Sequence, residues 1–557
     1  MTTAAVETPS KKSFSERMLD GIEKTGNKVP HPVIMFLYLI AFIAVLSAVL
    51  AAFDVSVTED VAIPVNKAEL QRVQDALGGS VVPYDTVSGE ILEVPDVIIE
   101  EQTFDVKSLL AIDGIRFVFS SFVNNFAGFA VVAVTFIAMA GVGVAEKAGM
   151  MAALIRKLVK VAPPKLIAFF IVLVGVLSSV ASDAGYLILI PLAAAAFVTV
   201  NRHPLAGLAA AFAGVACVFA VNVLITPVDS MLTEITNEAI GPNGKPLEIT
   251  ANLYFGIVSS IVMAIVAVIV TQRIVEPRLG KWDPSLGDPA FQGAAGDGDE
   301  AAQAAAEARG LKFALYALLV VGVLLLLMTV PSGAPLRDAT TGDLIGNTPF
   351  MASLIFIISL TFLICGIAFG KGAKTISGSG DVINAVTATF AGLSGLVFML
   401  LMISQFIAFF NYTNLPRVAA VEMAQLLERA GLGALPLLIG LILVIVLLDI
   451  IIPGVVPKWA IFAPVFIPIF DRLGVAPQTV LAAYRVGDSP MNSVTPLMVY
   501  LPFIVTVAQR YDKKAGLGTI ISLMIPYVFA ILGAWLLLFT AWWILDIPLG
   551  PGSPVSM

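Results

Sequence analysis

Ser178-Ser179-Val180-Ala181-Ser182-Asp183-Ala184-Gly185 is a polar interruption between two apolar arms, and Asp449 to Trp459 is a second one, about half the chain later. Beyond each, the second arm runs into a short charged turn: Asn201-Arg202-His203-Pro204 in the first case, Asp471-Arg472-Leu473-Gly474 in the other. The apolar helix after each turn is itself broken, around Gly214 to Asn222 and at Gly487-Asp488-Ser489-Pro490-Met491-Asn492. Irregular backbone at membrane depth survives only where protein or a water-filled cavity satisfies its polar groups. Matching interruptions in two halves of a chain point to the binding site of a secondary transporter. The fold class to expect is an all-α polytopic membrane protein built on an inverted repeat.

Composition agrees. Of 557 residues 58% are hydrophobic and 13% charged, far from the mix of a soluble domain. Apolar runs recur along the whole length, so the membrane core is the fold and not an anchor on it. The net charge of -8 says little about partners, because acidic residues concentrate in residues 54–115. Nothing forms a basic nucleic-acid surface. No cleavable signal pattern precedes the first apolar run. Cys217 and Cys365 lie in apolar segments without CxxC or metal-ligand spacing and read as small buried hydrophobes. His31 and His203 each precede a proline at a helix start, which suits capping better than metal binding. No structural metal or cofactor is expected.

Apolar runs predict nine transmembrane helices near 33–53, 122–144, 204–224, 252–271, 312–330, 350–369, 388–411, 475–505 and 518–545. Segments 166–199 and 435–470 fit re-entrant hairpins, since each holds two arms too short to cross a ~30 Å core alone. With a cytoplasmic N-terminus (1–32), twenty-one of the 32 Lys and Arg fall inside and nine outside, with Lys458 and Arg485 in the breaks. Reading 166–199 as a full crossing inverts every later loop and spoils that asymmetry. The two hairpins therefore enter from opposite sides, and the C-terminus lies outside. The resulting units are an extracytoplasmic loop over 54–121, a first repeat over 145–224 and connecting helices over 225–411. A second repeat covers 412–505, and the last helix and tail cover 506–557. Residues 281–310, rich in Ala, Gly and Asp, read as a flexible cytoplasmic linker. Amphipathic stretches 146–160 and 416–430 precede the hairpins and are expected to lie at the interface.

Ionisable groups at membrane depth are functional candidates by default. Asp183, among Ser178, Ser179 and Ser182 with Gly185 freeing the backbone, offers hard oxygens for Na⁺, or carries a proton itself. Capping of the second arm is its alternative role. Arg485 and Asp488 stand three apart on one helix face. Arg485 has the charge and fork geometry to grip a substrate carboxylate, with Asp488 orienting it or coupling a cation; a plain ion pair is the alternative. Pro490, with Asn492, Thr495 and Pro496 beyond it, prevents a regular helix and frees carbonyls for ligation. Trp459 offers a surface for a planar group or simply packs. Lys458 contacts an anion or snorkels outward. Asp449 has no basic partner close in sequence, so it is expected to face the cavity or to be protonated.

Several stretches resemble the AbgT family of p-aminobenzoyl-glutamate transporters. They are Lys28-Val29-Pro30-His31-Pro32, Gly141 to Lys147, Ser182-Asp183-Ala184-Gly185-Tyr186, Arg202 to Gly207, Gln405 to Tyr412, Lys458-Trp459-Ala460, Tyr484 to Ser489 and Tyr511 to Gly516. The resemblance covers nearly all of residues 15–552 and fails mainly in the extracytoplasmic loop and the 281–310 linker. The resemblance implies a bowl-shaped homodimer in the bacterial inner membrane, each protomer with nine transmembrane helices and two opposed hairpins. It also implies cation-driven transport, with import of p-aminobenzoyl-glutamate and export of sulfonamide antimetabolites both attributed to members. Family positions implicated in transport fall on Asp183, Trp459, Pro477, Arg485, Asp488 and Pro496; only Pro477 is absent from the list read from the residues. Departures gather at the second tip and the breaks. Asp449 stands where the family usually has Asn, Pro453-Gly454-Val455-Val456-Pro457 replaces a small hydroxyl-rich tip, and Met491-Asn492 replaces Thr-Asn. Cys217-Val218 stands where the family tends to have glycines.

The expected function is cation-coupled secondary transport of a small amphipathic carboxylate, with a different carboxylate or peptide-like substrate as the alternative. The coupling ion is Na⁺ or H⁺, with Ser182, Asp183, Gly185 and Asp488 as candidate ligands. An intramembrane aspartyl protease needs two carboxylates sharing a proton on paired Tyr-Asp and Gly-x-Gly-Asp helices, which the chain lacks. A passive channel fits poorly with inverted hairpins.

Overall fold

The computed structural model describes residues 32–64, 97–181, 185–241, 244–287, 299–345, 348–430, 433–450, 454–495, 498 and 500–557. Helix α1 (Pro32–Ala52) leads into two antiparallel strands, β1 (Ser56–Pro64) and β2 (Val97–Asp105), in register from Ser56 opposite Asp105 to Pro64 opposite Val97. Helices α2 (Ile112–Ala127) and α3 (Ala130–Lys147) follow end to end, joined at Gly128. The amphipathic α4 (Met150–Val161) buries Met150, Met151, Ala153, Ile155 and Val159, while Lys157 and Lys160 stay exposed. Helices α5 (Ile167–Ser178) and α6 (Ile190–Thr199) are the arms around the first interruption. A 3-10 turn, Ser179–Ala181, ends the first arm, and a π turn, Gly185–Leu189, starts the second.

Helix α7 (Pro204–Phe212) runs into a π turn at Ala213–Cys217 and then irregular backbone as far as Thr226, where α8 (Pro227–Ile240) begins. His203 caps α7, its Nδ1 accepting from the Leu205 N–H at 3.2 Å. Helix α9 (Leu253–Val270) continues through a π turn to Leu279. Next come α10 (Asp299–Thr329), α11 (Pro349–Ala373), α12 (Ser379–Gly392), α13 (Ser394–Tyr412) and α14 (Leu415–Ala430). Helices α15 (Ala434–Asp449) and α16 (Val455–Arg472) flank the second interruption. Helix α17 (Pro477–Asp488) stops at a 3-10 turn, Pro490–Ser493, and α18 (Leu501–Gln509) and α19 (Leu517–Ile544) complete the chain.

Among the described residues, seven helical stretches are long and apolar enough to cross a membrane: α1, α2 with α3, α9 with its extension, α10, α11, α13 and α19. The runs at 204–224 and 475–505, expected as spans that break midway, are interrupted by the turns at Ala213–Cys217 and Pro490–Ser493. At 1.5 Å per residue their unbroken parts reach only part of the way across. Helix α13 begins after a junction at Leu393, inside the run expected over 388–411.

One expectation needs correction. The linker placed at 281–310 is helical from Asp299, because its Ala- and Glu-rich second half is made of strong helix formers. Its helix is pinned by Arg156 Nη2 to Glu307 at 2.7 Å, and Arg309 Nε donates to the Gly372 carbonyl at 2.6 Å.

The most buried part of the molecule is the pair of broken helices. Every residue of α7 is buried, and so is every residue of α17 after Pro477. Helix α6 packs on α7, α15 on α17, and α8 and α14 on α16.

Candidate functional site

The four interruptions converge. The Cys217 thiol at the first break donates to Ser493 Oγ at the second, 3.0 Å away. The Ala220 N–H donates to Ser489 Oγ at 2.9 Å, and Arg485 Nη1 donates to the Ala220 carbonyl at 2.9 Å. Asn222, at the end of the first break, donates to Ser179 Oγ (2.8 Å) and to the Val176 carbonyl (2.9 Å), tying that break to the first tip. On the other side, Thr495 Oγ1 donates to the Ile450 carbonyl at 3.0 Å and joins the second break to the second tip. Backbone groups freed by breaking the helices thus find one another, as irregular backbone inside a membrane protein must.

Arg485 is the charged centre of this cluster and is only 3% exposed. Beyond Ala220, its Nη1 pairs with Asp229 Oδ1. Asp229 is held rigidly for the task, because it closes a capping box at the start of α8. Its Oδ2 accepts from the Thr226 N–H and hydroxyl, both at 2.7 Å, and its own N–H donates to Thr226 Oγ1 at 3.3 Å. Arg485 Nε has no partner, and neither does either amide atom of buried Asn252. Arg485, Asp229, Asn222 and Asn252 line a cavity of about 20 Å³, room for a single water.

Three residues along α17 a second charged group forms. Lys458 is fully buried, with Nζ paired to Asp449 Oδ1 and 2.9 Å from Asp488 Oδ1. The Tyr484 hydroxyl sits 2.6 Å from the Val455 carbonyl and 3.1 Å from Asp488 Oδ1.

The chain as a whole has known counterparts. The model of the AbgT transporter family matches residues 17–557. The chain belongs to the AbgT family. It is 31% identical over 544 residues to the p-aminobenzoyl-glutamate transport protein of Escherichia coli K12, covering 97% of both chains. Two solved structures are similar throughout. One is the YdaH transporter of Alcanivorax borkumensis (TM-score 0.80, 33% identity, 94% of this chain and 100% of that one). The other is MtrF of Neisseria gonorrhoeae, described as illuminating a class of antimetabolite efflux pumps (TM-score 0.81, 35% identity, 97% and 100%). The protein is a multi-pass membrane transporter and not an enzyme.

Within this AbgT transporter the residues singled out in the sequence divide into groups. Ser182, Asp183 and Pro496 lie outside the described residues. Arg485 and Asp488 do not pair with each other: one turns to Ala220 and Asp229, the other to Lys458 and Tyr484. Asp488 therefore does not orient Arg485. Asp449, expected to lack a basic neighbour, has Lys458, which reaches back across the tip and does not snorkel outward. Trp459 is wholly buried; its indole N–H donates to Thr236 Oγ1 at 3.0 Å and its ring lies against Tyr484. Pro477 opens α17 at the first helical position, where its missing N–H is harmless. Asn492 Nδ2 donates to the Asp488 carbonyl at 3.2 Å and so closes the end of α17. Gly185 matters through crowding: a Cβ there would lie 2.2 Å from Ser178 Oγ.

Asp229, Thr226 and Asn252 were missed by sequence reasoning. The only local signal was Thr226-Pro227-Val228-Asp229, a helix-start pattern that gives no hint of a distant arginine.

Proposed function

We propose that this AbgT transporter is a cation-coupled secondary carrier of a small amphipathic carboxylate, p-aminobenzoyl-glutamate or a related folate catabolite or antimetabolite. The observation that carries the reading is the position of Arg485, which sits where both helix breaks meet, has an Nε with no partner among the described residues, and lines a small cavity. A substrate carboxylate takes up the guanidinium by displacing Asp229, because one guanidinium edge cannot serve two carboxylates at full strength. Asp229 thus neutralises Arg485 while the site is empty, sparing the membrane interior an unpaired charge. The names of the relatives favour this substrate class: one is a p-aminobenzoyl-glutamate transport protein, another an antimetabolite efflux pump.

The carrier works as a homodimer in the bacterial inner membrane. It has nine crossings, two hairpins entering from opposite faces, a cytoplasmic N-terminus and an extracytoplasmic C-terminus. Movement of the hairpin-bearing unit exposes the site alternately to each side. Asp183 with Ser182 and Gly185 takes the coupling cation, and Trp459, Pro477, Asn492 and Pro496 shape the site around it.

Equilibrium binding of labelled p-aminobenzoyl-glutamate to purified protein tests the arginine assignment. Binding lost in Arg485→Gln but retained by a folded control variant supports it. Equal binding by the parent and a folded Arg485→Gln protein rules it out.

A further inference from the structure

Lys458 ties the two arms of the second hairpin together. Asp449 is the last residue of α15, Lys458 lies in the first turn of α16, and the tip runs between them. The same ammonium reaches Asp488 at the end of α17, so one cation ties both arms of the hairpin to the helix that carries Arg485. Asp449, Lys458 and Asp488 are all wholly buried. If both carboxylates are ionised, two of them against one ammonium leave an uncompensated negative charge buried away from bulk solvent. Among the described residues, neither Asp449 Oδ2 nor Asp488 Oδ2 has a hydrogen-bond partner, and both are buried. A fully ionised pair would leave both of those oxygens charged and idle, the costliest way to bury them.

The two carboxylates are not equivalent. Asp488 Oδ1 receives Lys458 and lies within reach of the Tyr484 hydroxyl, whereas Asp449 has Lys458 alone. Asp449 thus has the fewer donors to support a negative charge.

Among the described residues on the neighbouring elements, no titratable group besides Tyr484 reaches the triad. Helix α8, packed on α16, gives Thr236 to Trp459 and Asp229 to Arg485, while its Glu234 and Glu238 sense Glu248 and each other. On α14, Arg417 lies over the Phe104 ring and Glu422 is exposed. Tyr527 of α19 bonds Thr271, and the 3-10 turn after α17 carries no ionisable side chain.

We propose that Asp449, Lys458 and Asp488 form a proton-binding site, with the proton on Asp449 Oδ2, and that its loading and release loosen and restore the bond between α15 and α16. Protonation takes the triad from a net charge of -1 to zero. Lys458 then commits to Asp488, and its bond to α15 weakens. Loss of the proton restores the clamp. The proposal rests on the transport reading for its purpose, but the site itself is testable without transport.

The test is infrared titration of the purified full-length protein in lipid, following the carbonyl stretch of a protonated, buried carboxylic acid. A pH-dependent band is expected in the parent, absent in Asp449→Asn and displaced in Asp449→Glu. An indicator dye in weak buffer should show about one proton fewer bound per protomer in Asp449→Asn than in the parent. If Asp449→Asn does not fold, Asp449→Glu carries the test, because a band from Asp449 must move when the acid is changed. A band unmoved in Asp449→Glu, or intact in a folded Asp449→Asn, overturns the proposal. If uptake is driven by Na⁺ alone and no such band exists, the transport reading survives and this site falls. If the band is assigned but no carboxylate is carried, the site stands and the substrate reading falls.

Discussion

The indole ring of Trp459 lies 4.5 Å from the ring of Tyr484, tilted by 32°, and its N–H is spent on Thr236 Oγ1. A planar substrate cannot stack on that face while Tyr484 occupies it. In this state Trp459 is a structural wedge between α16, α17 and α8. Trp459→Ala should therefore destabilise the protein by about 3–5 kcal/mol, the usual cost of emptying an aromatic site in a core. Trp459→Phe keeps a ring and should cost about 1 kcal/mol for the lost hydrogen bond. Thermal unfolding in detergent checks both. A Trp459→Phe protein with unchanged melting but sharply weakened substrate binding would put the indole on the substrate instead.

Asp229 competes with the substrate for Arg485. Asp229→Asn keeps the capping geometry and removes the competing charge, so an anionic substrate should bind more tightly, by about tenfold, the size of one charge-assisted interaction. Arg485→Lys should weaken binding by at least about the same factor, because a lysine lacks the planar fork. Equilibrium binding on the two variants reads both effects, and opposite signs are required.

Helix α3 crosses α11 at Gly141. A Cβ there would lie 1.8 Å from the Ser359 carbonyl oxygen, and Ser359 Oγ accepts from the Gly141 N–H at 3.1 Å. Such a crossing is the close approach that small residues permit between membrane helices. Gly141→Ala must push the helices apart, and a loss of about 1–3 kcal/mol is expected, as for other overpacked sites. Melting temperature of the purified variant checks it, with Gly395→Ala as control, since nothing lies within 4 Å of that position.

In the loop between α10 and α11, Asp338 accepts from the Thr340 hydroxyl at 2.6 Å and from the Thr341 and Thr340 N–H groups, each at 2.8 Å. These bonds favour the carboxylate and pull its pKa from 3.8 down to about 2. A lowered carboxyl pKa stabilises the folded loop in full above the unfolded value and loses that effect as pH falls through the folded one. Protection of the Thr340 and Thr341 amides, taken relative to their intrinsic exchange rates, should hold above pH 3.8 and be lost as pH falls from 3.8 toward about 2. In Asp338→Ala that protection should be low throughout.

Much of this architecture was legible before any coordinates. Polar and small residues such as Ser179, Gly214 and Pro490 in apolar surroundings mark backbone that departs from the α-helix, and each falls in an observed break or tip. What the sequence hid was pairing. Arg485 and Asp229 are 256 residues apart, and Asp229 looks like an ordinary helix cap. Lys458 and Asp449 are nine apart, a spacing that matches no helical repeat and becomes contact only because the tip turns the chain back. Arg485 and Asp488 misled in the opposite way. Their spacing of three puts them on one face, but each finds a better partner on another helix.

The most direct test of the account is uptake of labelled p-aminobenzoyl-glutamate into proteoliposomes, with Na⁺ and pH gradients imposed separately. The account predicts accumulation against the substrate gradient, driven by one of the two and abolished in Arg485→Gln. No accumulation under either gradient by folded protein, or accumulation that survives Arg485→Gln, would contradict it.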